Sequence, residues 1–193
     1  MKKLVVGLGN PEGKYFQTYH NIGFLCADLL AQKLGVAFRK NGNQMLGKGV
    51  GVFVLKPLTY MNNSGQAVVA VARKQGIAPE DIIVFVDDLY IDKGNIRIAV
   101  GGSSAGHNGI TSINQLLGTS KYIKIRVGIK PEVAPKNGTA NYVLARIDEK
   151  ERGLLDEAIE KAVTAAVALL GGEALPLVQN KFNVTNAAVS NDT

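Results

Sequence analysis

The chain is short of several features that would otherwise direct its reading. It has one cysteine, Cys26, in 193 residues, so no internal disulfide can form and a reducing cytoplasm is the expected setting. Cys26 falls within an apolar helical pattern and nothing nearby would depress its pKa, so it reads as a buried, inert thiol. No apolar run comes near the roughly 20 residues of a membrane helix. The N-terminus has neither the apolar core nor the small-residue cleavage site of a signal peptide. There is no internal repeat and no linker. The expectation is one domain over residues 1–183, with a polar, aromatic-free tail from Asn183 (184–193) left unstructured. The formal charge is +6, with lysine and arginine spread along the chain. That excess suits a polyanionic partner but does not by itself establish one.

The patterns that are present describe a mixed α/β domain. Leu4-Val5-Val6 reads as a first strand, followed by the loop Gly7-Leu8-Gly9-Asn10-Pro11-Glu12-Gly13-Lys14-Tyr15, and residues 22–34 repeat apolar positions at helical spacing before Gly35. Residues 49–56 are β-branched and glycine-interrupted, a strand bounded by Pro57. Asn62, Asn63 and Ser64 offer caps to a helix over 66–75. Residues 82–86 (IIVFV) are a continuous apolar run, expected as a strand buried on both faces and ending in Asp87-Asp88. A turn at 93–95 precedes an alternating strand at 96–100, expected to have an antiparallel neighbour. The small-residue loop 101–109 opens into a helix over 110–117, and 122–128 reads as another strand. Residues 131–138 read as a mobile loop. Asp148-Glu149-Lys150-Glu151 is a capping-box start for a long helix to Leu170, and 175–182 adds a last helix.

Four polar clusters stand at element ends: Asn10 to His20, Asn62-Asn63, Asp87-Asp88 and His107-Asn108. An imidazole with a carboxylate makes a general base, the acid fixing the ring tautomer. Asparagine amides supply neutral donors for an oxyanion and acceptors for a water. Taken singly, each has a plainer reading. Asn10 before Pro11 is a common turn former, and His20-Asn21 and Asn62-Asn63 read as helix caps. Asp87-Asp88 reads as a solvated strand end or half of a Mg²⁺ site. His107 reads as structural, or as orienting the glycine loop. Gly7, Gly9 and Gly13 miss the dinucleotide spacing G-x-G-x-x-G by one position, and no acidic residue follows where a ribose contact would need it.

Five blocks taken together resemble bacterial peptidyl-tRNA hydrolase. They are GLGNP…Y…T-x-H-N-x-G, then Pro57-x-Thr59-x-Met61-Asn62-x-Ser64-Gly65, Asp87-Asp88-Leu89, Gly106-His107-Asn108-Gly109 and Arg126-Val127-Gly128. The resemblance covers nearly the whole chain. It implies a three-layer α/β/α domain with a twisted, mixed parallel and antiparallel sheet. It also implies a monomeric cytoplasmic esterase, needing no metal or cofactor, that cleaves the bond between a peptide and the 3′ ribose of tRNA. By position, His20 would activate water and Asp87 would be the acid that orients His20. Asn10, counted with them as catalytic, would with Asn62 hold the peptide and scissile carbonyl and polarise it or place the water. Asn108 would bind substrate and help order a lid, and Tyr15 would pack at the terminal nucleotide. Arg126 would join a basic patch for tRNA phosphate. Tyr60, Met61 and His107 fall within the same blocks and are assigned with these to substrate or tRNA binding, the partner being the CCA end and acceptor stem. The chain departs from the family pattern at Glu12, at Tyr19 and in the loop GGSSAGHNG. Two other classes remain open on the sequence: an RNA-binding domain without catalysis, and an enzyme using GLGNPEG as a phosphate loop.

Overall fold

The strands with the longest apolar runs lie at the centre of the sheet and the polar, glycine-broken ones at its margin. In the computed structural model, which describes residues 1–184, seven strands form one sheet in the order β2-β3-β4-β1-β5-β7-β6. They are β1 (Lys3–Gly7), β2 (Phe38–Lys40), β3 (Gln44–Lys48), β4 (Val52–Pro57), β5 (Ile82–Asp88), β6 (Ile96–Val100) and β7 (Ile123–Gly128). The four central strands β4, β1, β5 and β7 run parallel, while β2-β3, β3-β4 and β6-β7 are antiparallel. The expected antiparallel neighbour of β6 is therefore β7. All seven residues of β5 are buried, as its unbroken apolar run requires of a strand covered on both faces.

Helices α1 (Ile22–Lys33), α5 (Glu149–Leu170) and α6 (Leu175–Phe182) cover one face, meeting Val5, Ile83, Phe85, Ile125 and Val127. Helices α2 (Ser64–Gln75) and α3 (Asn108–Leu117) cover the other, over Leu4, Val6, Val84 and Val86. The alternation along β1 and β5 distributes each strand between the two cores. This is the three-layer α/β/α arrangement with a mixed sheet.

Several local expectations need correction. Residues 36–48 hold β2 and β3, which carry too few apolar residues to announce themselves, and the strand expected from residue 49 begins at Val52 after a turn. The segment after the 131–138 loop is a short helix, α4 (Gly138–Val143), despite a composition poor in helix formers. Asn63 makes no side-chain cap at α2, where Ser64 Oγ instead donates to the Met61 carbonyl at 2.8 Å. Asp148 caps α5 by accepting from the Lys150 N–H at 2.9 Å, but Glu151 does not close the reciprocal box because its carboxylate binds Tyr19 and Lys93. Asn183 is anchored: its amide accepts from Ile98 N–H (2.6 Å) and donates to the Ile98 carbonyl (3.0 Å). The expected tail from 185 onward lies outside the described residues.

Candidate active site

The site forms where the helix after β1 is pressed against the sheet backbone. A Cβ on Gly23 would sit 2.4 Å from both Leu8 N and Leu8 O, and one on Gly7 would sit 2.1 Å from Gly23 O. Leu8 N–H donates to Phe85 O and Phe24 N–H to Leu8 O, so the start of α1 is locked onto β1 and β5. Gly9 faces the Phe24 ring at similarly close range. Gly7 and Gly9 thus serve backbone packing, which explains a glycine spacing that missed the dinucleotide pattern. The same packing delivers the preceding 3₁₀ turn, Tyr19–Asn21, to the carboxyl end of β5.

There His20 meets Asp87. The ring Nδ1 lies 3.1 and 3.0 Å from the two carboxylate oxygens, and both groups are buried, Asp87 to 3% exposure. A second imidazole reaches the same acid, with His107 Nε2 3.0 Å from Asp87 Oδ1. His107 is also the N-cap of α3. Its Nδ1 accepts from Gly109 N–H at 3.1 Å and, more weakly, from Ile110 N–H at 3.4 Å. A nitrogen that accepts backbone N–H groups carries no proton, so the His107 proton is on Nε2 and is donated to Asp87. His20 in turn donates from Nδ1, leaving its Nε2 lone pair unengaged by the acid. Burial acts to lower the His20 pKa, but the Asp87 charge and hydrogen bond outweigh it and the net shift is upward. Burial acts to raise the Asp87 pKa, and the two imidazoles overcome it, holding the carboxyl well below its ordinary range.

The neighbouring aspartate points elsewhere because successive residues of a strand face opposite sides. Asp88 pairs with Arg126 at 3.0 Å and accepts from Tyr90 N–H at 2.8 Å. The two carboxylates are thus engaged by different partners, and Asp88 is not among the ligand-type atoms that cluster at Asp87, so the pair does not converge as half of a Mg²⁺ site would require. His20, Asp87 and His107 bring three ligand-type atoms within 4.8 Å. Holding a metal on His107 Nε2 while Nδ1 accepts from the α3 backbone would require an imidazolate, so the donor set does not fit.

A cavity of about 160 Å³ opens over this group, lined by His20, Asp87, His107, Asn108, Arg126 and the face of α4 carrying Thr139, Ala140 and Val143. Asn108, at the first turn of α3, is exposed at the cavity wall. Asn10 stands beside it rather than in its lining. Asn10 N–H donates to Asn21 Oδ1 (2.8 Å), Asn21 Nδ2 donates back to Asn10 O (2.9 Å), and Asn10 Oδ1 accepts from Met61 N–H (2.9 Å). That acceptor role fixes the amide orientation, leaving Asn10 Nδ2 without a partner among the described residues.

Other expected residues sit differently. Arg126 is not part of an exposed basic patch. Besides its ion pair it donates to Ser103 O at 2.9 Å and is buried, because both faces of β7 are covered. Met61 places its side chain in the core under Gly109. Asn62 is exposed on the 3₁₀ turn Met61–Asn63, outside the cavity lining. Tyr60 takes φ 58°, ψ 160°, a region open in practice to glycine, and its hydroxyl donates to Glu12, whose carboxylate also pairs with Lys14 at 2.8 Å. Tyr15 is half-buried, with the Lys14 ammonium 4.9 Å from its ring centroid.

The segment carrying His20 is braced from the far end of the chain. Tyr19 stacks on Tyr142 with ring centroids 4.6 Å apart, and its hydroxyl donates to Glu151. Backbone bonds run from Tyr19 N–H to Ala145 O and from Ile147 N–H to Gln17 O. Tyr19, which differs from the usual family residue, is therefore a buried brace. Sequence reasoning missed Asn21 as the latch on Asn10, and it missed the second imidazole on Asp87. An imidazole just before a helical pattern was the available signal for the latter.

The sequence model of the family described as Peptidyl-tRNA hydrolase matches residues 4–191. The chain is 44% identical to the peptidyl-tRNA hydrolase of Moorella thermoacetica over 185 residues, covering 93% of this chain and 97% of that one. It is 40% identical to that of Bifidobacterium adolescentis over 192 residues, covering 93% and 96%. The crystal structure of peptidyl-tRNA hydrolase from Acinetobacter baumannii superposes with a TM-score of 0.87 at 36% identity, covering 95% of each chain.

Proposed function

From the premise that the chain belongs to the peptidyl-tRNA hydrolase family, an ester hydrolase family, we propose that it cleaves the ester between a peptide and the 3′ ribose of tRNA by water activated at His20. The observation that carries this reading is the Asp87 carboxylate shared by two imidazoles, with His107 locked in one tautomer by the α3 backbone. With one carboxylate oxygen committed to His107 Nε2–H, His20 donates from Nδ1 and presents Nε2 to the cavity as a base. The metal-free chemistry is supported by the tautomer of His107, which cannot ligate while capping α3.

In the proposed reaction a water oxygen attacks the ester carbonyl carbon while His20 Nε2 takes the water proton. Asp87 stabilises the resulting imidazolium across 3.0 Å. The carbonyl oxygen becomes an oxyanion, for which the Nδ2 groups of Asn10 and Asn108 are neutral donors. Collapse breaks the bond to the ribose oxygen, His20 returns its proton to that oxygen, and tRNA and peptide leave. The same reading makes it a monomer acting in the cytoplasm, where a tRNA substrate is met.

The deciding experiment is incubation with N-acetyl-aminoacyl-tRNA beside unblocked aminoacyl-tRNA. Release of the acyl group from the first and not the second is the expected result. Binding of both without release would leave an RNA-binding domain in place of an enzyme.

A further inference from the structure

Lysines and arginines are dispersed along the chain, but acids are not. Between Asp28 and Glu80 there is no aspartate or glutamate, while seven lysines and arginines fall in that interval: Lys33, Arg39, Lys40, Lys48, Lys56, Arg73 and Lys74. This one segment carries more positive charge than the net +6 of the whole protein. Lys33 ends α1 and pairs with Glu160, and Lys56 pairs with Asp28, while the other five lie on β2, β3 and α2 at one margin of the sheet.

At that margin the sheet extends past α2 and leaves a groove of about 610 Å³ between the β2-β3 hairpin and the helix. Arg39, Lys40, Lys48 and Lys74 line it, with Asn41, Gln44 and Gln75 as neutral polar neighbours and no carboxylate. All four cations are exposed, and none makes an ion pair among the described residues. Lysine and arginine on β2 alone would be explained as protection of an edge strand against pairing. That explanation does not extend to Lys74 on α2 or Lys48 on β3, nor to the missing acids. The groove is also tied to the site. Leu58 N–H donates to Asn43 O, so the hairpin turn at the upper end of the groove abuts the stretch leading to Tyr60 and Met61. From Gln44 to Lys48 the groove continues down the strand for roughly 14 Å.

We propose that this groove takes the phosphate backbone of an RNA, seating the body of the tRNA at a place separate from the cavity that holds the ester. The proposal rests on the reading of tRNA as substrate. Uncompensated cations around a concave surface create a field that attracts a polyanion and are relieved when phosphates replace their counterions. Neutral amides between them supply further donors to phosphate oxygens.

The test uses the full chain with Arg39→Gln, Lys40→Gln, Lys48→Gln and Lys74→Gln combined, after circular dichroism has shown an unchanged melting temperature. Hydrolysis is followed on N-acetyl-aminoacyl-tRNA and on the same ester carried by a CCA trinucleotide, and binding of uncharged tRNA is measured by fluorescence anisotropy across a salt series. The expected result is a KM for full-length tRNA raised by roughly 10-fold or more, with the trinucleotide unaffected. The slope of log affinity against log salt should become shallower by about 0.7–0.9 for each phosphate that the variant no longer neutralises. Weakened anisotropy binding would support the groove even if neither ester were cleaved, since that failure would concern the catalytic reading alone. Unchanged tRNA affinity and salt slope in the variant, or an equal decline on the trinucleotide, would overturn the proposal.

Discussion

Replacing Asp87 with asparagine removes one charge and almost no volume, and the structure dictates how the new amide must lie. Because backbone donors hold His107 Nδ1 as an acceptor, its Nε2–H needs an acceptor at the Oδ1 position. The asparagine oxygen therefore takes that place, and its NH₂ takes the Oδ2 place, 3.0 Å from His20 Nδ1. Nδ1 of His20 then faces a donor at 3.0 Å and, at 3.1 Å, an oxygen already taken by His107. The carboxylate's hold on Nδ1–H is thus weakened, and the tautomer protonated on Nε2, which has no lone pair to take a proton from water, gains population. A wrong tautomer of this kind costs about 10⁴-fold in kcat where it has been measured in a serine protease triad, equivalent to roughly 5.4 kcal/mol of barrier. The acid limb of the rate profile should move as well. In the native protein burial lowers the His20 pKa but Asp87 raises it further, so activity rises with pH through a midpoint above 6.5. Without the carboxylate only the lowering influence remains, and the limb shifts to lower pH. The assay is kcat/KM for N-acetyl-aminoacyl-tRNA across pH 5 to 9 on both proteins, with a melting curve for each. Retention of more than about a tenth of the activity, or an unmoved acid limb, would refute the tautomer argument.

His20→Ala should lower turnover by about 10²–10⁴-fold while leaving tRNA binding intact, since it removes a base and no RNA contact; single-turnover kinetics would reveal a smaller effect. The same residue ties stability to pH in the opposite sense to activity. Its raised folded-state pKa stabilises the fold fully below about pH 6.5, and that contribution is lost as pH rises through the folded value, which chemical denaturation of native protein and H20A would resolve. Gly23→Ala drives a methyl against backbone atoms of Leu8 and Phe85 that cannot move independently, so a loss of about 3 kcal/mol or more is expected. A denaturant midpoint close to native would show that the helix start is not fixed as described. Tyr60→Gly relieves a backbone region costing about 1–3 kcal/mol, against an entropic cost of about 0.5–1 kcal/mol for glycine itself, so thermal stability should rise slightly. A lower melting temperature would mean that the Tyr60–Glu12 hydrogen bond outweighs the strain.

Long apolar signals were readable and short polar ones were not. The run 82–86 revealed a doubly covered strand and the periodicity of 149–170 a helix, because burial leaves a compositional trace. The strands Phe38–Lys40 and Gln44–Lys48 lie at an edge, bury little, and leave none. Arg126 shows how a correct element can still mislead. The alternation Ile123, Ile125, Val127 placed one face of β7 in a core, and a charged opposite face then suggests solvent. In a sheet covered on both sides that face is also interior, so the guanidinium is consumed by Asp88. His20 and Asp87 were identifiable as chemical types, but their pairing spans 67 positions and depends on glycines that let α1 touch the sheet. The cap formed by His107 was harder still to foresee, since caps are ordinarily Ser, Thr, Asp or Asn.

The brace on the His20 segment carries a temporal implication. Tyr142, Ala145, Ile147 and Glu151 must all be in place before Gln17, Tyr19 and the neighbouring imidazole are held. While the polypeptide is being made, its N-terminal portion emerges from the ribosome long before those partners do. Each growing copy, itself a chain esterified to tRNA, can therefore complete this brace only after most of its length has been translated.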